Sequence, residues 1–390
     1  MWTQLMTLTC ALASHGPALS PTTGDVLADA APPVRVFILA GQSNMEGFGQ
    51  VRSLPALSEW TEHGPLLARL QTESDGELDW AVRDDVHICW PDRGRSGPLT
   101  IGWGHREHLV GPELMFGTLI GDESDAPVLL IKTAWGGKDV YCDFRSPSAG
   151  EPAGDAAKIL EGERERGNER EVGHYFRKMV ADVEDALAAL PEHVPGAVAG
   201  NYELEGLLWF QGWNDYIQWR GAPGVIESYG ESLALMIQDL RSELEAPELP
   251  VYVGEMGIGG TAMNTRAEQD ERDQIAHAIL KFRRAQRAAC EHPDVAGVTY
   301  VPTAQHWDDR LDELNSLKDQ HSNYKRENNI DNNEDNELPT PELSAEYRSR
   351  GGHWYCHYNG SGPYYCLVGY EFARAVSRAA APIEASGARR

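Results

Sequence analysis

The chain has 390 residues, 41% apolar and 24% charged, and its 60 Asp and Glu against 34 Lys and Arg leave a formal net charge of −26. Such a composition describes an acidic folded protein with enough apolar residues for a large core, and it excludes a disordered chain. It also excludes nonspecific nucleic-acid binding, which needs a basic surface to neutralise phosphates. No apolar run is long enough for an integral membrane segment, and the charge disfavours an anionic membrane surface.

Residues 1–33 open with a short apolar stretch, Leu5 to Ala13, then turn rich in Pro, Thr and Ala. They read as an export leader without a basic start, which implies a secreted or periplasmic protein; an unstructured extension is the alternative. Five apolar runs follow: VRVFILA (34–40), APVLLIKTA (126–134), GLLWFQG (206–212), LPVYVGE (249–255) and VAGVTYVPT (295–303). Each is too continuous for a one-sided strand, and runs buried on both faces belong to parallel sheets covered by helices. Helix-period segments at 111–123, 173–190, 225–245, 265–290 and 364–380 alternate with them, which spells a doubly wound α/β domain. Two segments interrupt the pattern. Residues 52–110 read as a long aperiodic excursion between the first two strands, and residues 309–350, around NNIDNNEDNELPTPE, as a polar acidic insertion unable to pack a core. The expectation is one domain over 34–383 with these insertions on its rim. Of six cysteines, Cys10 lies in the leader; Cys89, Cys142, Cys290, Cys356 and Cys366 read as isolated thiols or one local disulfide, with no structural zinc expected.

The sharpest local signal is Gly41-Gln42-Ser43-Asn44-Met45-Glu46-Gly47, directly after the first strand. Ligands of parallel sheets bind beyond the carboxyl ends of the strands, so Ser43 points into the default crevice. A helix-capping serine is the structural alternative. The second strand ends in Trp135-Gly136-Gly137-Lys138 and the third in Gln211-Gly212-Trp213-Asn214-Asp215. A serine hydroxyl, a glycine N–H and an amide side chain are the parts of an oxyanion hole. Among thirteen histidines, His357, just before the last helix, is the candidate base, with His353 its local rival and His306 a weaker one.

GQSNM, AWGG, WFQGWND and HYNGS, in this order, resemble the blocks of SGNH/GDSL-type hydrolases over roughly residues 34–378. The branch they resemble is the sialate O-acetylesterase-like one, related to the acetylxylan esterases of carbohydrate esterase family six. The resemblance implies a three-layer α/β/α sandwich around a five-stranded parallel sheet, flavodoxin-like, with no cofactor. It further implies a serine esterase that removes O-acetyl groups from a carbohydrate through an acetyl-enzyme: Ser43 as nucleophile, His357 as base, and Ser43 N–H, Gly136 or Gly137 and Gln211 as the oxyanion hole. The family usually carries an Asp-x-x-His run. Here Trp354 stands three residues before His357 and Arg350 three before His353, and neither accepts an imidazole N–H. The fifth strand leads into Asp308 and Asp309, so Asp308 is expected to orient His357, with a Ser–His dyad or Glu255 as alternatives. Candidates for sugar contacts are Trp135, Lys138, Trp213, Asn214, Asp215, Arg106, Glu113 and Glu255. Competing readings are a general short-chain carboxylesterase and a catalytically silent glycan-binding homologue. Nothing in the sequence sets the oligomeric state.

Overall fold

A computed structural model describes residues 32–380 apart from 61, 75 and 331–336. The expected leader therefore lies, except for Pro32 and Pro33, outside the described residues. A seven-stranded sheet forms the centre. Its strands are β1 (Val34–Gly41), β2 (Val86–Trp90), β3 (Arg95–Pro98), β4 (Val128–Ala134), β5 (Tyr202–Phe210), β6 (Val251–Gly254) and β7 (Val298–Val301). Their order across the sheet is β7-β6-β5-β1-β4-β2-β3. All pairings are parallel except that of β2 with β3, so the sheet is mixed.

This corrects the expected five-stranded parallel sheet. The five apolar runs form contiguous strands, but the segment 52–110 adds β2 parallel to β4 and closes that edge with antiparallel β3. One buried-strand expectation also fails: β7 sits at the opposite edge, with Thr299 exposed, Val298 and Tyr300 half-buried and Val301 buried.

Helices cover both faces. Trp209 and Phe210, neighbours in β5, point to opposite sides. The Trp209 indole N–H donates to the Tyr229 hydroxyl (3.3 Å) in the helix Gly224–Glu243, whereas Phe210 packs edge-on against Phe372 in the last helix, Gly362–Ala380. Phe37 of β1 meets Phe116 of the helix Glu113–Asp122 on that second side. Strands β1 and β4 are buried along almost their whole length, which explains their uninterrupted apolar sequence.

The 309–350 insertion is also more ordered than its composition implies. Helix Asp309–Glu327 and helix Pro341–Arg350 pack together around Leu311, Leu314, Leu338 and Tyr347, and Arg310 forms a two-pronged pair with Glu346 at 2.8 Å. Side-chain caps start both, from Asp308 to Leu311 N–H and from Thr340 to Leu343 N–H, with Pro341 in the first turn of the second. The five cysteines from Cys89 to Cys366 are free thiols. Among the described residues, no helix is long and apolar enough to cross a membrane.

Candidate active site

Register brings the site together. Gly41, the last residue of β1, lies level with Ala134 of β4 and Phe210 of β5, so the turns that follow all three strands emerge side by side at one sheet edge. A side chain at Gly41 would fall 2.3 Å from the Phe210 carbonyl oxygen, which is why the chain can turn there only with glycine.

From that turn Ser43 Oγ lies 3.1 Å from His357 Nε2. The neighbouring residues of the motif act as clamps. Gln42 Oε1 accepts the backbone N–H groups of Gly212 and Asn214, tying the serine turn to the β5 turn. Asn44 donates to the Cys356 carbonyl at 3.1 Å and accepts from the Tyr365 hydroxyl at 2.8 Å, tying it to the histidine loop. Beneath the turn, the fully buried Lys132 ammonium donates to the carbonyls of Glu46 and Trp103 (2.7 Å each) and to Glu113 Oε2 (3.0 Å). Three acceptors match the three donors of a charged ammonium.

His357 is buried, and its ring stacks on Phe48 with centroids 3.8 Å apart. Its loop contains two consecutive non-glycine residues in the left-handed region, Tyr358 (φ 50°) and Asn359 (φ 53°). Each such residue typically costs about 1–3 kcal/mol and concentrates at functional sites. Burial, with the His353 and His105 rings nearby, depresses the His357 imidazole to about 3; burial and surrounding cations depress His353 to about 4. The two Nδ1 atoms stand 3.2 Å apart. Gly136 borders Ser43, since a Cβ placed there would lie 3.7 Å from the serine Cβ. Glu46, also buried, accepts from Arg93 at 2.9 Å and faces His105 Nδ1 at 3.3 Å.

Several expectations need correction. Asp308 does not reach His357: one oxygen caps the helix that starts at Asp309 and the other pairs with Arg350 at 3.3 Å. Glu255 is a strut between strands, accepting from the N–H groups of Thr303 and Ala304. Glu113 is locked in the buried pair with Lys132, away from any sugar. The Gln211 amide N–H groups are directed to the Lys138 carbonyl (3.1 Å) and Asp215 (2.6 Å), and its oxygen accepts from Tyr229, so in this state it does not donate toward Ser43. Asp215, pushed up by burial, also accepts from Val140 N–H, and the Asn214 amide donates to Lys138 O. These two therefore brace the turn after β4. Trp135 is buried against Phe144 and Tyr175; Trp213 is half-buried against Tyr216 and Tyr355; Arg106 is exposed on a loop. His306 pairs with Glu371 at 3.0 Å, within a separate cluster.

Sequence reasoning missed Phe48, Glu46 and Trp354 as site neighbours. Trp354 is 68% exposed, and its ring lies nearly parallel to His357 with centroids 5.9 Å apart. Beside the site, a cleft of about 380 Å³ opens at Gly137 and Lys138 and holds three bases, Lys138, Arg170 and His174, against three carboxylates, Asp143, Glu163 and Glu171. Asp143 is raised to about 6 by burial and by Asp139. Among the described residues, no group of three or more His, Cys, Asp or Glu side chains is arranged to hold a metal ion.

A probable carbohydrate esterase of Arabidopsis thaliana is 25% identical over 232 residues, 59% of this chain and 71% of that protein. Among solved structures, the chain is similar to an Arabidopsis thaliana protein at 18% identity and TM-score 0.44, covering 89% of this chain and 99% of that one. It is also similar to a carbohydrate acetylesterase from Xanthomonas citri at 13% identity and TM-score 0.41, covering 70% of this chain and 50% of that one. A family model described as carbohydrate esterase, sialic acid-specific acetylesterase matches residues 33–299, a span that holds Ser43, Gly136 and Gln211 and stops before His357. The chain belongs to this carbohydrate esterase family and is an ester hydrolase.

Proposed function

We propose that the protein is a carbohydrate O-acetylesterase that works through an acetyl-enzyme on Ser43. The observation that carries this reading is the 3.1 Å approach of Ser43 Oγ to His357 Nε2 at the carboxyl edge of β1, in a chain of the esterase family. His357 Nε2 takes the serine proton as Oγ attacks the ester carbonyl, and returns it to the departing sugar oxygen; water then cleaves the acetyl-enzyme by the same route. The Ser43 N–H and a backbone N–H of Gly136 or Gly137, the glycine turn bordering Ser43, serve as donors for the oxyanion, each typically worth about 3 kcal/mol in the transition state. Gln211 joins them only if its amide leaves Lys138 O.

Neutral acetylated sugars fit better than polyanionic ones. The whole chain carries −26, and in the adjoining cleft Lys138 and Arg170 stand beside His174 among three carboxylates, Asp143, Glu163 and Glu171, so the cleft offers no basic patch. Trp354 presents an exposed ring beside His357, the kind of surface on which a sugar face stacks. Export, read from the stretch Leu5–Ala13, suits such a substrate.

Acetate release from acetylated xylan, pectin and sialic acids, alongside nitrophenyl acetate hydrolysis, tests the reading. Ser43→Ala is expected to abolish release and fluorophosphonate labelling. Trp354→Ala is expected to raise KM for the preferred acetylated glycan several-fold while leaving nitrophenyl acetate turnover unchanged. Acetate release that survives in Ser43→Ala overturns the serine mechanism.

A further inference from the structure

We propose that His353 is the positioning residue for His357, holding the place that a carboxylate holds in Ser-His-Asp enzymes. This rests on the Ser43–His357 reading above. The two Nδ1 atoms are 3.2 Å apart, so one must carry a proton and the other a lone pair. For His357 Nε2 to accept from Ser43, its own proton must sit on Nδ1, and His353 Nδ1 is then the acceptor, with the His353 proton on Nε2. When the serine proton arrives, His357 becomes an imidazolium that still donates Nδ1–H to neutral His353. That proton later leaves from Nε2 with the sugar oxygen, so His353 neither gains nor loses one.

The arrangement is built rather than incidental. Asn359 O accepts the backbone N–H groups of both Gly352 and His353, folding residue 353 back over the loop that carries His357. Gly360, at φ +74°, makes room: a Cβ there would fall 2.6 Å from the His353 Cβ. Arg52 pins the preceding chain through the carbonyls of Arg348 and Gly351. Phe48 floors both imidazoles, with centroids 5.2 Å from His353 and 3.8 Å from His357.

Burial is the main reason His353 serves as a neutral acceptor. Lys318 from the insertion helix, the His105 and His108 rings from the loop before Leu109, and Arg52 add to it, each disfavouring a second proton. The carboxylates nearby are engaged elsewhere: Asp312 accepts from the Asn359 amide at 3.5 Å, Asp308 pairs with Arg350, and Glu46 pairs with Arg93 and faces His105. A neutral acceptor orients the imidazole and fixes its tautomer but adds no charge to stabilise the imidazolium. The enzyme thereby keeps the orienting half of the carboxylate's role.

The test measures kcat and KM for nitrophenyl acetate from acid to mildly alkaline pH in the full chain and in Ser43→Ala, His353→Ala, His353→Asn and His353→Asp, with melting curves to establish folding. His353→Ala is expected to lower kcat at least about tenfold with KM little changed. His353→Asp is expected to recover most of that loss and to move the acid limb of kcat/KM to higher pH, because a carboxylate against Nδ1 favours the imidazolium. A purely structural histidine moves neither. Unchanged kcat in His353→Ala, or an acid limb in His353→Asp that stays where the parent has it, overturns the proposal. If His353→Ala does not fold, His353→Asp and His353→Asn decide by the same two readouts. Activity surviving in Ser43→Ala breaks the underlying serine reading instead, whatever the His353 variants do.

Discussion

Replacing Lys132 by methionine isolates the support beneath the Ser43 turn. The side chain is fully buried, and its ammonium holds two backbone carbonyls and the equally buried Glu113 carboxylate, whose second oxygen accepts from Gly111 N–H. Methionine fills similar volume, so the main loss is charge and hydrogen bonding rather than packing. Removing one partner of a buried ion pair strands the other and costs about 3–5 kcal/mol. For a domain of this size, at roughly 2 °C per kcal/mol, that is a fall in Tm of roughly 6–10 °C. The double variant Lys132→Met/Glu113→Gln keeps an acceptor for Gly111 and buries no lone carboxylate, so it is expected to regain at least half of the loss. Differential scanning calorimetry of parent, single and double variants at neutral pH measures all three. A Lys132→Met melting point within about 2 °C of the parent, or a double variant less stable than the single, refutes the assignment of a charged, mutually compensating pair. Glu46 O loses its donor in both variants, so activity is expected to fall more than the melting point of the double variant alone implies.

Two further outcomes follow from the geometry. Asp308→Asn keeps a capping acceptor for Leu311 N–H and gives up only the pairing with Arg350, so kcat is expected to stay within about threefold, or ~0.7 kcal/mol; a hundredfold fall in steady-state assays reinstates Asp308 as the triad acid. The depressed imidazoles predict an acid-side loss of stability: His357 near 3 and His353 near 4 stay neutral in the fold, while the unfolded chain protonates both below about 6.5. Stability fully present above that value is therefore lost as pH falls through the window toward 3, at up to about 1.4 kcal/mol per pH unit for each histidine. Urea midpoints at several pH values should fall more steeply in the parent than in His353→Asn/His357→Asn, and equal slopes would remove the basis for the depressed values.

Four of the five strands were legible because burial on both faces demands continuous apolar sequence, and the fifth, β7, carried an apolar run although it lies half-exposed at the sheet edge. The missed strands lack such a run. VHICW is only five residues long within a charged, aperiodic stretch, and RSGP, an antiparallel edge, carries no β-forming side chain at all. The insertion helices escaped for a related reason. In DRLDELNSLKDQHSNYKRE, Leu311 and Leu314 are the buried apolar contacts, too few to set a period against so much charge. At the site, topology alone carried Ser43 and His357 to the same edge. Partner choice was not readable: Gln42 meets Gly212 across 170 residues and Asn44 meets Tyr365 across 321, and nothing local to either residue names its partner. The same holds for Gln211, whose amide has the right chemistry for an oxyanion hole yet finds Asp215 four residues on.

The position of β1 bears on how the molecule is made. Among the described residues it is the first sheet strand and the central one in space, and its neighbours β4 and β5 begin only at Val128 and Tyr202. During synthesis its apolar residues emerge long before anything can cover either face, and early pairing with the wrong edge is the hazard of such non-local sheets. Ser43 emerges with that strand, while His357 follows 314 residues later, so a ribosome-bound chain carries Ser43 without its imidazole partner until the last helix can dock.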